Sequence, residues 1–242
     1  MKALLEVQGL TRRFGGLVAV DGLDFVVEPS EVVGLLGPNG SGKTTVLNLL
    51  SGVLRSDAGR IAFRGQAIAG KPAHQIARLG LARTFQLVRP LASLSCHDNV
   101  RASLAHGRRG LWGHTADSEA DVLLERVGLG RAGAAMPGEL TYIDQKRLEL
   151  ARALALRPDL LLLDEWLAGL NPTELEAGIA LVRSLADEGI AILLVEHVMD
   201  AIRSLCRRCL VMNAGRLIAS GRPAEVLAHP EVVRAYLGDD DA

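Results

Sequence analysis

The sequence predicts an α/β fold: a core of alternating strands and helices, a small antiparallel β-lobe near the N-terminus, and an inserted helical lobe. Three observations predict it. Short, wholly apolar runs such as "EVVGLL" and "LLLLDE" read as buried parallel strands rather than half-exposed ones. Each is followed by a glycine-containing turn and then a helical pattern. Residues 87–157 break this rhythm, because they hold helical patterns and loops and no convincing strand. The predicted division is therefore a core of residues 1–86 and 158–242, with the helical lobe at 87–157 between its halves.

Taken in order, "ALLEVQ" and "LDFVVE" alternate as strands, with a glycine-rich turn region between them. "EVVGLL" runs through "GPNGSGK" into "TTVLNLLSG", a helix ended by Gly52. "RIAFRGQAI" reads as strand and turn, "PAHQIARLG" as a short helix and "LARTF" as a strand. The inserted lobe holds helices at "CHDNVRASLAHG", "DSEADVLLERVGLG" and "DQKRLELARALAL". In the last of these Leu148, Ala151 and Leu154 form the apolar face, and Lys146, Arg147 and Glu149 fall off it. Thr141 and Asp144 have capping-box spacing, in which each side chain satisfies an amide at the helix start. After Pro158, "LLLLDE" is a strand, and "NPTELEAGIALVRSLADEG" a helix with Asn171 as N-cap and Pro172 at its first position. "IAILLVEH" is a strand, "VMDAIRSL" a helix, "RCLVMNAGRLIASG" a hairpin, and "PAEVLAHPEVVRAYLG" two short closing helices. The acidic "DDD" near the end reads as a frayed tail.

Bulk properties narrow the function. A chain of 242 residues can bury one large core. The net charge of −1 argues against a nucleic-acid footprint, and 3% aromatic residues argue against base-stacking platforms. No apolar segment is long enough to cross a bilayer. "MKALLEVQGLTRRFGG" carries no secretory-leader pattern, so the expected location is cytoplasmic. Cys206 and Cys209 form a lone C-x-x-C without a second pair, and read as small buried hydrophobes entering a strand; Cys96 stands apart.

The chemistry begins at "GPNGSGKT". Gly37, Pro38, Asn39, Gly40, Ser41, Gly42, Lys43 and Thr44 match G-x-x-x-x-G-K-[ST], with Thr45 next in the helix. Glycines let successive amides converge on phosphate oxygens, and the helix that follows adds its positive end. Lys43 reaches the outer phosphates, and the Thr44 hydroxyl is a Mg²⁺ ligand. "LLLLDE" supplies the complement: Asp164 at a strand end for the Mg²⁺ shell, and Glu165 beside it to polarise a water as general base.

With these motifs in order, the chain resembles the nucleotide-binding subunit of an ATP-binding cassette transporter over nearly its whole length. The resemblance implies a P-loop NTPase core of the RecA-like kind, with ATP and Mg²⁺ as ligands. It implies that Phe14 in "RRFGG" stacks on adenine. It implies that Gln86 in "ARTFQ" reaches Mg²⁺ and the attacking water, and that His197 in "LLVEH" contacts the γ-phosphate. "AGLNP", residues 168–172, matches a loop that crosses a dimer interface, with Asn171 where aspartate is usual. Leu140, Thr141, Tyr142, Ile143 and Asp144 occupy the place of the signature, commonly Leu-Ser-Gly-Gly-Gln, which faces the nucleotide held by a second subunit. Ile143 departs from glycine there. A β-branched residue disfavours positive φ and adds bulk, and Asp144 adds negative charge, so the expectation is a less complete closure. Trp166 stands where proline is usual.

"RFGGLVAV", "ARTFQ", "DEWLAGLNPTE", "VEHVMD" and "HPEVVRAYLG" look like the branched-chain amino acid uptake subgroup. The subgroup implies a second ATPase subunit, the same or different, two integral membrane permease subunits and a periplasmic or surface binding protein. It also implies a position on the cytoplasmic face of the inner membrane. Urea and short-chain amide importers look alike, and lipopolysaccharide-export ATPases end similarly. A low-turnover regulatory subunit is a rival, opposed by the retention of Glu165 and His197. A soluble ATPase of DNA repair or translation would carry tandem cassettes or long insertions. A metabolic kinase leaves Gln86, the signature and His197 unexplained.

Overall fold

A computed structural model describes residues 2–237; the "DDD" run lies outside them. Two sheets organise the chain. The larger has strands β3 (Val32–Leu36), β6 (Leu81–Arg83), β7 (Leu160–Asp164), β8 (Ala191–Val195), β9 (Arg208–Asn213) and β10 (Arg216–Gly221). Their spatial order is β10-β9-β3-β8-β7-β6, parallel throughout except for the β9–β10 hairpin at one edge.

Why the strands are apolar without alternation follows from what each face meets. Successive side chains point to opposite sides of a strand. On one side Val32, Leu36, Leu161, Leu163, Ile192, Leu194, Cys209 and Val211 join the core shared with the inserted helices. On the other, Val33, Leu35, Leu160, Leu162, Leu193, Leu210 and Met212 join a second core. Both faces are covered, so a polar residue is excluded at nearly every position.

The second core also contains the N-terminal sheet, ordered β2-β1-β4-β5, of β1 (Leu5–Phe14), β2 (Leu17–Val27), β4 (Ala58–Phe63) and β5 (Gln66–Ala67). Here β1 and β2 run further than their alternation predicts. The ladder shifts register between Val7 and Leu10, and again near Arg12, with Gly9 and Gly22 at positive φ. These bulges let pairing continue through the glycine-rich region, which leaves Gly15 and Gly16 as the turn.

Helices α1 (Lys43–Leu50) and α2 (Ala73–Leu79) precede β6, which is shorter than "LARTF". The ladder stops because the Phe85 amide leaves it for a side chain, Glu149 Oε1, at 3.0 Å. Between β6 and β7 lie α3 (Cys96–His106), α4 (Gly113–Arg126) and α5 (Tyr142–Ala155), the last entered through a 3₁₀ turn at Pro137–Glu139. Helices α6 (Pro172–Asp187), α7 (Met199–Leu205), α8 (Pro223–Leu227) and α9 (Pro230–Leu237) complete the chain. Asn171 is the N-cap of α6, as expected, and Glu174 completes a capping box with it. Cys206 and Cys209 are free, buried thiols beside Gly34, consistent with packing as small hydrophobes. No helix among the described residues is long and apolar enough to cross a membrane.

The loop from β6 to α3 is held by one side chain. Asn99, fully buried on α3, accepts from the Leu91 amide (2.8 Å) and donates to the carbonyls of Leu91, Leu94 and Ser95, each at 3.0 Å. Replacing Asn99 with alanine orphans the Leu91 amide and the Leu94 carbonyl, at a cost of about 2–3 kcal/mol. Denaturant titration and loss of hydrogen-exchange protection at Leu91 check this.

Candidate active site

Parallel strands point their carboxyl ends the same way, and the loops that leave those ends share one crevice. The loop after β3, Gln86 after β6, Asp164 at the end of β7 and His197 after β8 all lie on that side. A cavity of about 620 Å³ opens there, lined by Phe14, Leu17, Val18, Ala19, Asn39, Gly40, Gly42, Lys43, Thr44, Thr45, Gln86, Glu165 and Ala214. Sequence motifs predicted nine of these; the Leu17–Ala19 and Ala214 walls came from the β-lobe and the β9–β10 turn.

The loop from Gly37 to Thr44 is shaped by backbone that only glycine fits. Gly37 has φ +146, and a Cβ there would lie 2.1 Å from the Met212 carbonyl. Gly42 has φ +105, and its Cβ would lie 2.4 Å from the Ala19 carbonyl. Lys43 turns back into the loop, donating to the carbonyls of Gly37 (2.7 Å) and Pro38 (3.0 Å). Burial lowers its pKa, against the opposing fields of Glu165 and Asp164. The Ser41 hydroxyl is buried with no protein partner.

Asp164 is 2% exposed. Its Oδ2 accepts from Arg83 Nη2 at 2.8 Å, while Oδ1 has no protein partner. Burial raises its pKa, and the Arg83 hydrogen bond opposes the rise. Arg83 also donates to Asn48 Oδ1 (2.7 Å) and Ser51 Oγ (3.2 Å) of the α1 turn and lies 4.9 Å from the Phe85 ring centroid. An orphaned, buried carboxylate oxygen fits a hard divalent cation. Thr44 and Gln86, in the cavity wall, supply hydroxyl and amide oxygens.

Glu165 is bracketed. Gln86 Nε2 donates to its Oε2 at 2.6 Å, and His197 Nε2 lies 3.2 Å from its Oε1. The sequence-predicted triplet is thus assembled in one place. Phe14 is 43% exposed and lines the cavity rather than the core, with the Arg12 guanidinium 4.8 Å from its ring centroid.

The 140–144 segment does not line this cavity. Thr141 is the N-cap of α5 and accepts from the Asp144 amide at 3.3 Å. The capping box is only half made. The Thr141 hydroxyl donates to Asp144 Oδ2 (2.8 Å), and Arg147 pairs with Oδ1 (3.1 Å), so the carboxylate does not take the Thr141 amide and its charge is compensated. Ile143 is the second residue of α5 and has ordinary helical backbone. The positive-φ argument against it therefore fails, and only its bulk remains. Lys146 and Glu149, expected off the apolar face, are 2% and 6% exposed. Hydrogen bonds and nearby opposite charges let the buried face of α5 take them.

Sequence reasoning missed Arg83, Lys146, Glu149 and Glu196. The first had a signal, an arginine in an otherwise apolar strand. Glu196 is 1% exposed, and its Oε1 accepts from the Leu167 amide at 2.6 Å.

A glycine-shaped phosphate loop at the carboxyl edge of a parallel sheet, facing an acidic strand end, defines a P-loop nucleotide-binding domain. The chain belongs to the ABC transporter family, whose profile matches residues 20–168. A second profile, described as branched-chain amino acid ATP-binding cassette transporter, matches 216–242. The chain is 40% identical over 252 residues to the high-affinity branched-chain amino acid transport ATP-binding protein BraF of Pseudomonas aeruginosa, covering 98% of this chain and 99% of that one. It is 40% identical over 250 residues to LivG of Escherichia coli K12, a protein of the same description, with 98% of each covered. A crystal structure of an ATP-binding cassette of an ABC transporter in its ADP conformation superposes with a TM-score of 0.88 at 30% identity, covering 99% of this chain and all of that one.

Burial raises the pKa of both Glu149 and Glu196 to about 7. An unfolded glutamate titrates near 4.5, so between these values the folded chain binds more protons, and stability falls as pH rises. The loss is complete above about 7 and absent below about 4.5. Glu149→Gln keeps an acceptor for Phe85 and shrinks this fall by roughly 2 kcal/mol. Urea midpoints on either side of the window measure it.

Proposed function

We propose that the chain is the ATP-hydrolysing subunit of an importer for branched-chain amino acids. The observation that carries the ATPase reading is Glu165 held between Gln86 and His197 at the mouth of the phosphate-loop cavity. The substrate class rests on the relatives' descriptions and on the matched C-terminal profile.

In this reading residues 37–45 cradle the phosphates with backbone amides, and Lys43 exchanges its two loop carbonyls for phosphate oxygens. Phe14 offers its ring to the adenine. Thr44, Gln86 and Asp164 would hold Mg²⁺, which supplies charge neutralisation on the polyphosphate. Glu165 accepts a proton from the attacking water. Gln86 and His197 orient Glu165, and His197 is placed to donate toward the terminal phosphate. Residues 140–144 complete the site of a second ATPase subunit, and residues 87–157 form the helical subdomain that carries them. Two membrane permease subunits and, through them, a substrate-binding protein are the partners. The chain then lies on the cytoplasmic face of the membrane. A low-turnover regulatory role is disfavoured by the assembled Glu165 triplet.

Co-expression with the membrane subunits, followed by reconstitution, tests the function. Uptake of leucine, isoleucine or valine is expected to require ATP. Glu165→Gln is expected to keep nucleotide binding and lose at least about a hundredfold in turnover. An importer that moves urea or amides instead would reject the substrate assignment and leave the ATPase intact.

Ile143→Gly removes bulk at the entrance of α5 and is expected to raise turnover of the assembled transporter. An unchanged rate in steady-state phosphate release would reject the closure argument.

A further inference from the structure

Outside the residues assigned to the reaction, the buried Lys146 ammonium stands close to the site and is fully engaged. It donates to three carbonyls of one turn: Glu165 (3.2 Å), Trp166 (3.1 Å) and Ala168 (2.7 Å). An ammonium has three donors, and all are used. The turn answers in kind, because the buried Trp166 indole donates to the Lys146 carbonyl at 3.0 Å. From the other side, Glu196 takes the Leu167 amide. Residues 165–168 are thus suspended between α5 and the residue before His197. Glu165 itself holds φ +51, a conformation that a non-glycine residue keeps only where its surroundings impose it. At its other side the Lys146 ammonium lies 4.8 Å from the ring centroid of Tyr142, which is 54% exposed at the start of α5.

We propose that Lys146 is a positioning residue for Glu165. It imposes the backbone conformation that sets the carboxylate between Gln86 and His197, and it ties that turn to the exposed entrance of α5. The inference rests on reading Glu165 as the base. Lys146 does not line the phosphate-loop cavity. It acts by filling three carbonyls that would otherwise turn toward other donors, and Trp166 makes the tie reciprocal. What packs on Tyr142 therefore bears on the placement of Glu165.

The chain has two tryptophans, so Trp112→Phe, at an exposed position, leaves Trp166 as the sole reporter inside the turn. In that background Lys146→Met is expected to shift Trp166 emission to the red. It should lower the turnover of the full chain, alone and with its membrane subunits, by about tenfold or more, with ATP affinity within about threefold. Trp166→Phe, which loses the indole bond and part of the ring but keeps all three Lys146 bonds, is expected to lower kcat by a smaller factor at unchanged KM. Lys146→Met turning over within about twofold of the parent overturns the proposal, as does a parallel loss of turnover and affinity in both variants. Should Lys146→Met not fold, Trp166→Phe decides alone, and wild-type kcat in it is the overturning result. Glu165→Gln, assayed alongside, separates the two failures: full turnover there rejects the reading of Glu165 itself, whatever Lys146 does.

Discussion

A carboxylate at the end of a strand whose two faces are both buried has to be compensated, and much of this site depends on how Asp164 is. Arg83 does it from the neighbouring strand, at 2.8 Å, with both groups nearly inaccessible. Removing one partner of such a pair costs about 3–5 kcal/mol, because the other charge is then stranded. Its Nη1 donates to Asn48 and Ser51, which fixes the far end of α1 and hence the helix that rises from the phosphate loop. Its flat face carries the Phe85 ring. The next donor along, the Phe85 amide, goes to Glu149 on α5. One buried cation therefore sets the spacing between the phosphate loop, the Asp164 carboxylate and the Gln86 loop, and a single further bond joins all three to the inserted helices.

The same economy explains why so many charges lie near the cavity. Lys43, Arg83, Lys146 and Arg152 face Asp164, Glu165, Glu149 and Glu196, and each cation's pKa is drawn down by burial and held up by one or more of these acids. The two acceptors of Lys43 are neutral carbonyls of the loop itself. A polyphosphate outcompetes neutral carbonyls for an ammonium, because charge-assisted bonds are about twice as strong. Lys146 differs: it has three acceptors and sits on the far side of the turn from the cavity, so no phosphate can draw it away. The arrangement gives one lysine to the ligand and one to the scaffold.

Much of this was legible in the sequence, for reasons that separate local from distant information. The strands of the large sheet announce themselves because both faces are covered, and the phosphate loop because its spacing encodes its geometry. The caps at Asn171 and Thr141 are likewise written within four residues. The extents of β1 and β2 were not legible, because bulges at Gly9 and Gly22 hide the alternation that pairing still obeys. Arg83, Lys146, Glu149 and Glu196 were not legible either. A charged residue at a helical or strand position reads as exposed unless its partner is known. These partners lie 81 residues away for Arg83 and Asp164, 64 for Phe85 and Glu149, and 29 for Leu167 and Glu196. Even Ile143 was misjudged on backbone grounds, since its helical conformation depends on the cap beginning at Thr141.

That cap also shapes what the entrance of α5 can offer to an anion. A helix N-terminus is a site of partial positive charge with free amides. Here Thr141 has spent its hydroxyl proton on Asp144, and Asp144 has spent its other oxygen on Arg147. The entrance is neutralised from within. A phosphate that engages the Thr141 hydroxyl has to take it from a carboxylate that is already paired, so that one contact is an exchange of partners. Exchange leaves the Asp144 Oδ2 without its hydroxyl, and only Arg147 then remains to hold it. Under the proposed pairing with a second subunit, the three-membered hydrogen-bonded chain Thr141–Asp144–Arg147 restrains closure as much as the bulk of Ile143 does.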